Sequence, residues 1–271
     1  MTSGKKGINM DLFVNYYYEM YKNFMCLQGV KLPVIMTQEF DEQIESQNKE
    51  VLLYVNEDEL RNPFITLHIN SKFHLYTKHF KISKLYHEFT HIVDANINLK
   101  EYEGENYSLL MNTYSEFHAS QVESAFNLGF DNINNIYKID IENITIESEQ
   151  ENDKVSLYYL KPFVQACNII TKNKNEYYNL DAYDYCKKYK YFVTNLMYYL
   201  GKMTFCNSCA TKPHKSITED NTGTFYPVIS LFEKSLIANS YPHILKACDI
   251  MWNYYKNYFK SSVLMELPER F

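Results

Sequence analysis

The chain has 271 residues, 46% of them hydrophobic, and 27 Lys+Arg against 33 Asp+Glu leave a net charge of −6. That apolar fraction supports a full core and excludes wholesale disorder, while the acidic balance argues against a nucleic-acid binder built on a broad basic surface. No run of 18 apolar residues occurs and the N-terminal MTSGKKGINMDLF lacks the features of a secretory signal, so no membrane span and a cytoplasmic location are expected.

Residues 8–28 carry apolar side chains at helical spacing up to Gly29 and read as a helix. The polar, acidic stretch 38–50 reads as a helix end or a loop. VLLYV (51–55) and PFITLHIN (63–70) are rich in β-branched and aromatic residues and read as strands. Helices are expected over 82–97 and 107–128. IYKIDIENITIE (136–147) alternates isoleucine with polar residues, which suits a half-buried strand or hairpin, and SEQENDK (148–154) has the composition of a linker. Beyond it the pattern is helical, over 155–172, 181–205, 224–240 and 242–260. The expected fold is α+β and mainly helical. A small antiparallel or mixed sheet would pack on the 82–97 helix within residues 1–150, and residues 151–271 would form a helical domain.

Two classes of site are weak on inspection. Seven glycines, none of them clustered, disfavour phosphate loops of the GxxxxGK[ST] or GxGxxG type. Six cysteines spread over a long chain suggest reduced thiols rather than a disulfide framework. Only Cys206 and Cys209 form a CxxC. With His214 nearby but no local fourth ligand, the pair reads as a coincidence in a loop rather than a zinc knuckle.

The informative segment is KLYHEFTHIVD (84–94), with His87-Glu88-Phe89-Thr90-His91 in the HExxH pattern. Histidines at i and i+4 lie about 40° apart around a helix, so both imidazoles can reach one metal ion. Glu88, next to the first histidine, can stand beside the ion and serve as general base. Chance alone would yield the pattern about 0.02 times in a chain of this composition. Ile82, Leu85, Phe89, Val93 and Asn96 fall within about 60° of one direction, and the two histidines lie nearly opposite with Asp94 beside them. One face thus anchors the helix and the other presents the histidine pair.

A catalytic zinc site needs a third protein ligand and an open position. Downstream candidates are Glu101, Glu103, Glu105, Glu116, His118 and Glu123. TYSEFHASQVES (113–124) stands out because Leu110, Tyr114, Phe117 and Ala125 share an apolar side while Glu116, Ser120 and Glu123 group on the other. His118 points to the packed side and reads as structural. Asp94, Ser120 and Glu123 are the residues that could orient the ligands from behind.

HEFTH, followed 25 residues after His91 by Glu116 in SEFHAS, resembles the gluzincin zinc metallopeptidases, whose third ligand is a Glu on a following helix. The short spacing is similar to the compact ImmA/IrrE-like branch, with its Glu, two residues, Ala, then Asn or Asp. Glu116-Phe117-His118-Ala119 fits and Ser120 departs from that pattern. The resemblance covers residues 50 to 130. It implies a zincin-like domain holding one Zn²⁺ through His87, His91 and Glu116, with Glu88 as base and PFITLHIN as an edge strand for an extended peptide. It also implies a narrow protein or peptide substrate, such as a transcriptional repressor, with no nucleic-acid or membrane partner. The oxyanion donor is not legible, since 26 tyrosines make any choice arbitrary. The competing reading is a catalytically silent zinc-binding interaction module on the same scaffold, which would have no need of Glu88.

Overall fold

The computed structural model describes residues 10–40, 45–46, 49–50, 52–147, 152–171, 180–213 and 222–259. Helix α1 (Met10–Phe24) leads into strand β1 (Val34–Phe40), a short antiparallel pair β2 (Glu45–Ser46) and β3 (Lys49–Glu50), and strands β4 (Leu53–Val55) and β5 (Phe64–Asn70). The main sheet has the order β1-β5-β4, with β1 parallel and β4 antiparallel to β5. Ile65, Leu67 and Ile69 alternate inward along β5 and are buried, which gives the sheet one covered face.

Helix α2 (Lys78–Val93) starts at Thr77, whose Oγ1 accepts from the Phe80 N–H at 3.3 Å and satisfies one free donor of the first turn. Its apolar residues Phe80, Leu85, Phe89 and Ile92 are buried. Tyr21 of α1 donates to Thr90 Oγ1 at 3.1 Å and packs on Phe89 and Tyr86. Thr90, within the HExxH segment, therefore faces α1 and turns the histidines the other way. The helix continues into a π-helical segment, Asp94–Asn98. A second continuous helical run combines α3 (Gly104–Leu110), a π segment (Met111–Ser115) and α4 (Glu116–Asn127). Strands β6 (Thr145–Glu147) and β7 (Asn152–Lys154) pair before helices α5 (Val155–Thr171), α6 (Ala182–Cys209), α7 (Tyr226–Ile237) and α8 (Tyr241–Phe259). The architecture is mainly helical α+β with a small mixed sheet, and its apolar core runs from Val14 to Phe259. No helix among the described residues is long and apolar enough to cross a membrane.

Four local expectations are corrected. Val34–Phe40 is a strand, and 45–46 pairs with 49–50, where 38–50 read as a helix end or loop. Only Thr145–Glu147 of the 136–147 segment is a strand, because Ile141–Asn143 turns away as a 3₁₀ turn. Asn152–Lys154 of the expected linker is the returning strand β7, while 148–151 lie outside the described residues. Cys206 and Cys209 sit in the last turn of α6, fully buried, rather than in a loop; His214 lies outside the described residues.

Helix α6 runs along α4, and Gly201 sets how close the two come. A Cβ there would lie 2.3 Å from the Phe117 carbonyl oxygen and 2.8 Å from Ser120 Cβ. Helix propensity alone would make Gly201→Ala stabilising by about 1 kcal/mol. Contact with a rigid backbone carbonyl outweighs that, so the substitution is expected to destabilise the fold by about 1–3 kcal/mol in urea unfolding. A stabilised variant would show that α6 is free to move off α4.

Candidate metal centre

Helices α2 and α4 face each other across the site. His87, His91 and Glu116 each turn one ligand atom inward, and these three atoms lie within 4.8 Å of one another. The carboxylate oxygen Glu116 Oε2 is 3.4 Å from His87 Nε2 and 3.8 Å from His91 Nε2. It is buried and has no hydrogen-bond partner.

The far side of each imidazole is braced by the protein. His91 Nδ1 lies 2.8 Å from Ser115 Oγ, and Ser115 donates its own proton to Asp94 Oδ2 at 2.7 Å. With its O–H committed, Ser115 can only accept, so His91 carries its proton on Nδ1 and leaves Nε2 bare. Asp94 is fully buried and also meets His118 Nδ1 at 2.8 Å and Asn98 Nδ2 at 2.6 Å. His87 Nδ1 faces Glu123 Oε2 at 3.3 Å without a hydrogen bond, and Glu123 Oε1 takes a 2.9 Å ion pair from Lys84. In the neutral ring a carboxylate on that side favours the proton on Nδ1 and a lone pair on Nε2.

With both rings neutral, two lone pairs and a carboxylate oxygen confront one another. That arrangement is repulsive unless a cation shares it, and two imidazoles with one carboxylate suit Zn²⁺. Without a metal, a proton answers the same need. Burial lowers the His87 imidazole, but Glu116 and Glu123 outweigh it and hold its pKa up at about 9. His91, with burial dominant, is pushed down to about 4. Burial raises the Glu116 carboxyl, yet the His91 and His87 charges bring it below its ordinary value.

Glu88 stands beside the group rather than within it. Burial lifts its carboxyl to about 7 against the pull of His87 and Lys84. It lines a cleft of about 310 Å³ together with Tyr54, Val55, Leu60, Met111 and Tyr198. Tyr198 comes from α6, hydrogen-bonds the Glu116 carboxylate, and meets the His87 ring edge-on at 5.5 Å. Burial, with Glu116 and Glu88 adding to it, pushes the Tyr198 phenol well above its ordinary pKa and keeps it protonated.

His87, His91, Glu116 and Glu88 come together as the sequence suggested. Asp94 and Glu123 stand behind the two imidazoles, Asp94 by way of Ser115. Ser120 does not join them: its hydroxyl is buried without a partner, and its Cβ packs where α4 meets Gly201. His118 is a brace on Asp94, stacked on Tyr114, in keeping with a structural histidine. PFITLHIN is not an edge strand, because β5 is paired on both sides; the edge that lines the cleft is β4, through Tyr54 and Val55. Sequence reading missed Ser115, Lys84 and Tyr198. Ser115 precedes Glu116 in the same motif and was findable; Tyr198 had no local signal. Among the described residues, no other cluster of three His, Cys, Asp or Glu side chains could hold a metal ion. No protein-family model matches this chain, and neither the curated proteins nor the solved structures contain a match.

A divalent cation entering this site must displace the His87 proton, whereas His91 is already bare. Titration with Zn²⁺ at pH 8 is therefore expected to release about one proton, with affinity falling about tenfold per unit as pH drops. Below pH 7 the release should rise as Glu88, protonated there, also ionises. Calorimetry in buffers of different ionisation enthalpy reads both numbers; a pH-independent affinity would contradict this assignment.

Proposed function

We propose that the protein is a zinc-dependent metallopeptidase that hydrolyses a peptide bond in a protein substrate of narrow range. The observation that carries this reading is the orphaned Glu116 Oε2 facing the Nε2 atoms of two imidazoles at the floor of a cleft that Glu88 also lines. Zinc held by His87, His91 and Glu116 would supply Lewis-acid chemistry, acidifying a water and polarising the scissile carbonyl.

The remaining work falls to the chain. Glu88 accepts the proton of the attacking water and passes it to the leaving amine, a task for which a carboxyl lifted towards neutrality is well matched. Tyr198, held protonated, becomes a hydrogen-bond donor for the oxyanion that develops on the substrate carbonyl by turning its O–H away from Glu116, which the metal would then hold. Strand β4 offers backbone N–H and C=O groups to an extended peptide along the cleft. The silent-scaffold reading leaves Glu88 without a task, since it braces neither histidine.

Glu88→Gln is expected to keep full zinc content by elemental analysis while turnover falls about 10²–10⁴-fold on a peptide library. His87→Ala should lose the zinc itself. Tyr198→Phe should lower kcat about 10²-fold with little change in KM, as removal of an oxyanion donor does. Undiminished turnover in Glu88→Gln would remove the proposed mechanism.

A further inference from the structure

The two metal-facing histidines are braced in different ways. His91 is held by a hydroxyl that relays to a buried carboxylate. His87 Nδ1 lies 3.3 Å from Glu123, itself buried at 3% exposure and ion-paired to Lys84 at 2.9 Å. An ammonium here is unexpected next to a site meant to attract a cation. It is a positive charge that Coulomb's law sets against a divalent ion nearby.

Resting on the zinc reading above, we propose that Lys84 is a positioning residue that clamps Glu123 of α4 against α2, so that Glu123 stops the His87 ring from turning and leaves Nε2 aimed at the metal. The 2.9 Å ion pair fixes one carboxylate oxygen, and the other is thereby set 3.3 Å from His87 Nδ1. An immobile carboxylate behind the ring is what keeps it in its ligand orientation. Lys84 reaches the metal only through Glu123.

The two views of Lys84 predict opposite signs. If it acts merely as a charge, Lys84→Met tightens Zn²⁺ binding. If it clamps Glu123, Lys84→Met weakens it, by the 10- to 100-fold typical of residues behind a ligand. Lys84 is one-third exposed, so its replacement leaves the core intact, and circular dichroism checks the fold. The experiment is competition of the full-length protein with a chelator for Zn²⁺, and the visible spectrum of its Co²⁺ form, for wild type, Lys84→Met, Lys84→Arg, Glu123→Gln and the Lys84→Met/Glu123→Gln double variant. Expected are a weakened Lys84→Met with a changed Co²⁺ spectrum, rescue by Lys84→Arg, and no further loss from Lys84→Met once Glu123 is Gln. Glu123→Gln, nearly isosteric, carries the test if Lys84→Met fails to fold. Unchanged or tighter binding by Lys84→Met, or a loss additive with Glu123→Gln, overturns the clamp and leaves the zinc reading standing. A wild-type chain that takes up neither metal overturns both.

Discussion

Three lone-pair-bearing atoms meeting in a buried pocket impose the constraint on which the rest of this structure depends. Glu116 Oε2 and the Nε2 atoms of His87 and His91 lie within 4.8 Å of one another, and only a proton on His87 or a cation relieves their repulsion. Such a cluster persists only if surrounding groups prevent the imidazoles from turning and the carboxylate from swinging into water. The protein meets that need with the Ser115–Asp94 relay behind His91, the Glu123–Lys84 pair behind His87, and the Tyr198 phenol on Glu116. These braces come from α2, α4, α6 and the two π-helical segments, so the site exists only while those elements keep their spacing. The close approach at Gly201 is one place where that spacing is fixed.

The two π-helical segments stand at the ends of this arrangement. Asp94–Asn98 comes soon after His91, and Met111–Ser115 immediately precedes Glu116. A π turn holds an extra residue and re-aims the side chains beyond it, and such turns are frequent at functional sites. Asp94 and Ser115, which meet behind His91, are each the residue at which a π segment adjoins an α-helix. The backbone irregularity and the hydrogen-bond relay thus occupy the same positions in the chain.

Legibility varied with the range of the interaction. The HExxH pair was readable because both ligands sit on one helix, whose geometry spacing alone fixes. Glu116 and Glu123 were readable as one face of a second helix, although angles measured across residues 111–115 do not survive the π segment. Ser120, which could have oriented a ligand from behind, braces none, because a helical wheel gives direction but not what stands opposite. The strand that lines the cleft was misassigned for a similar reason. Periodicity identifies Phe64–Asn70 as a strand, but only pairing with both β1 and β4 makes it central and leaves Leu53–Val55 at the edge.

By itself the sequence determined the helical α+β class, the histidine pair with its adjacent glutamate, and the helix carrying Glu116. Those features arise from local periodicity, which 3.6 residues per turn and two per strand repeat impose wherever they occur. Only the tertiary structure decided that Tyr198, over 100 positions after His91, belongs to the same site, and that Lys84 pairs with the carboxylate behind His87. Bringing α6 onto α4 depends on burial summed over whole helix faces and on one missing side chain at Gly201. No window of the sequence contains that sum, so no local pattern could announce it.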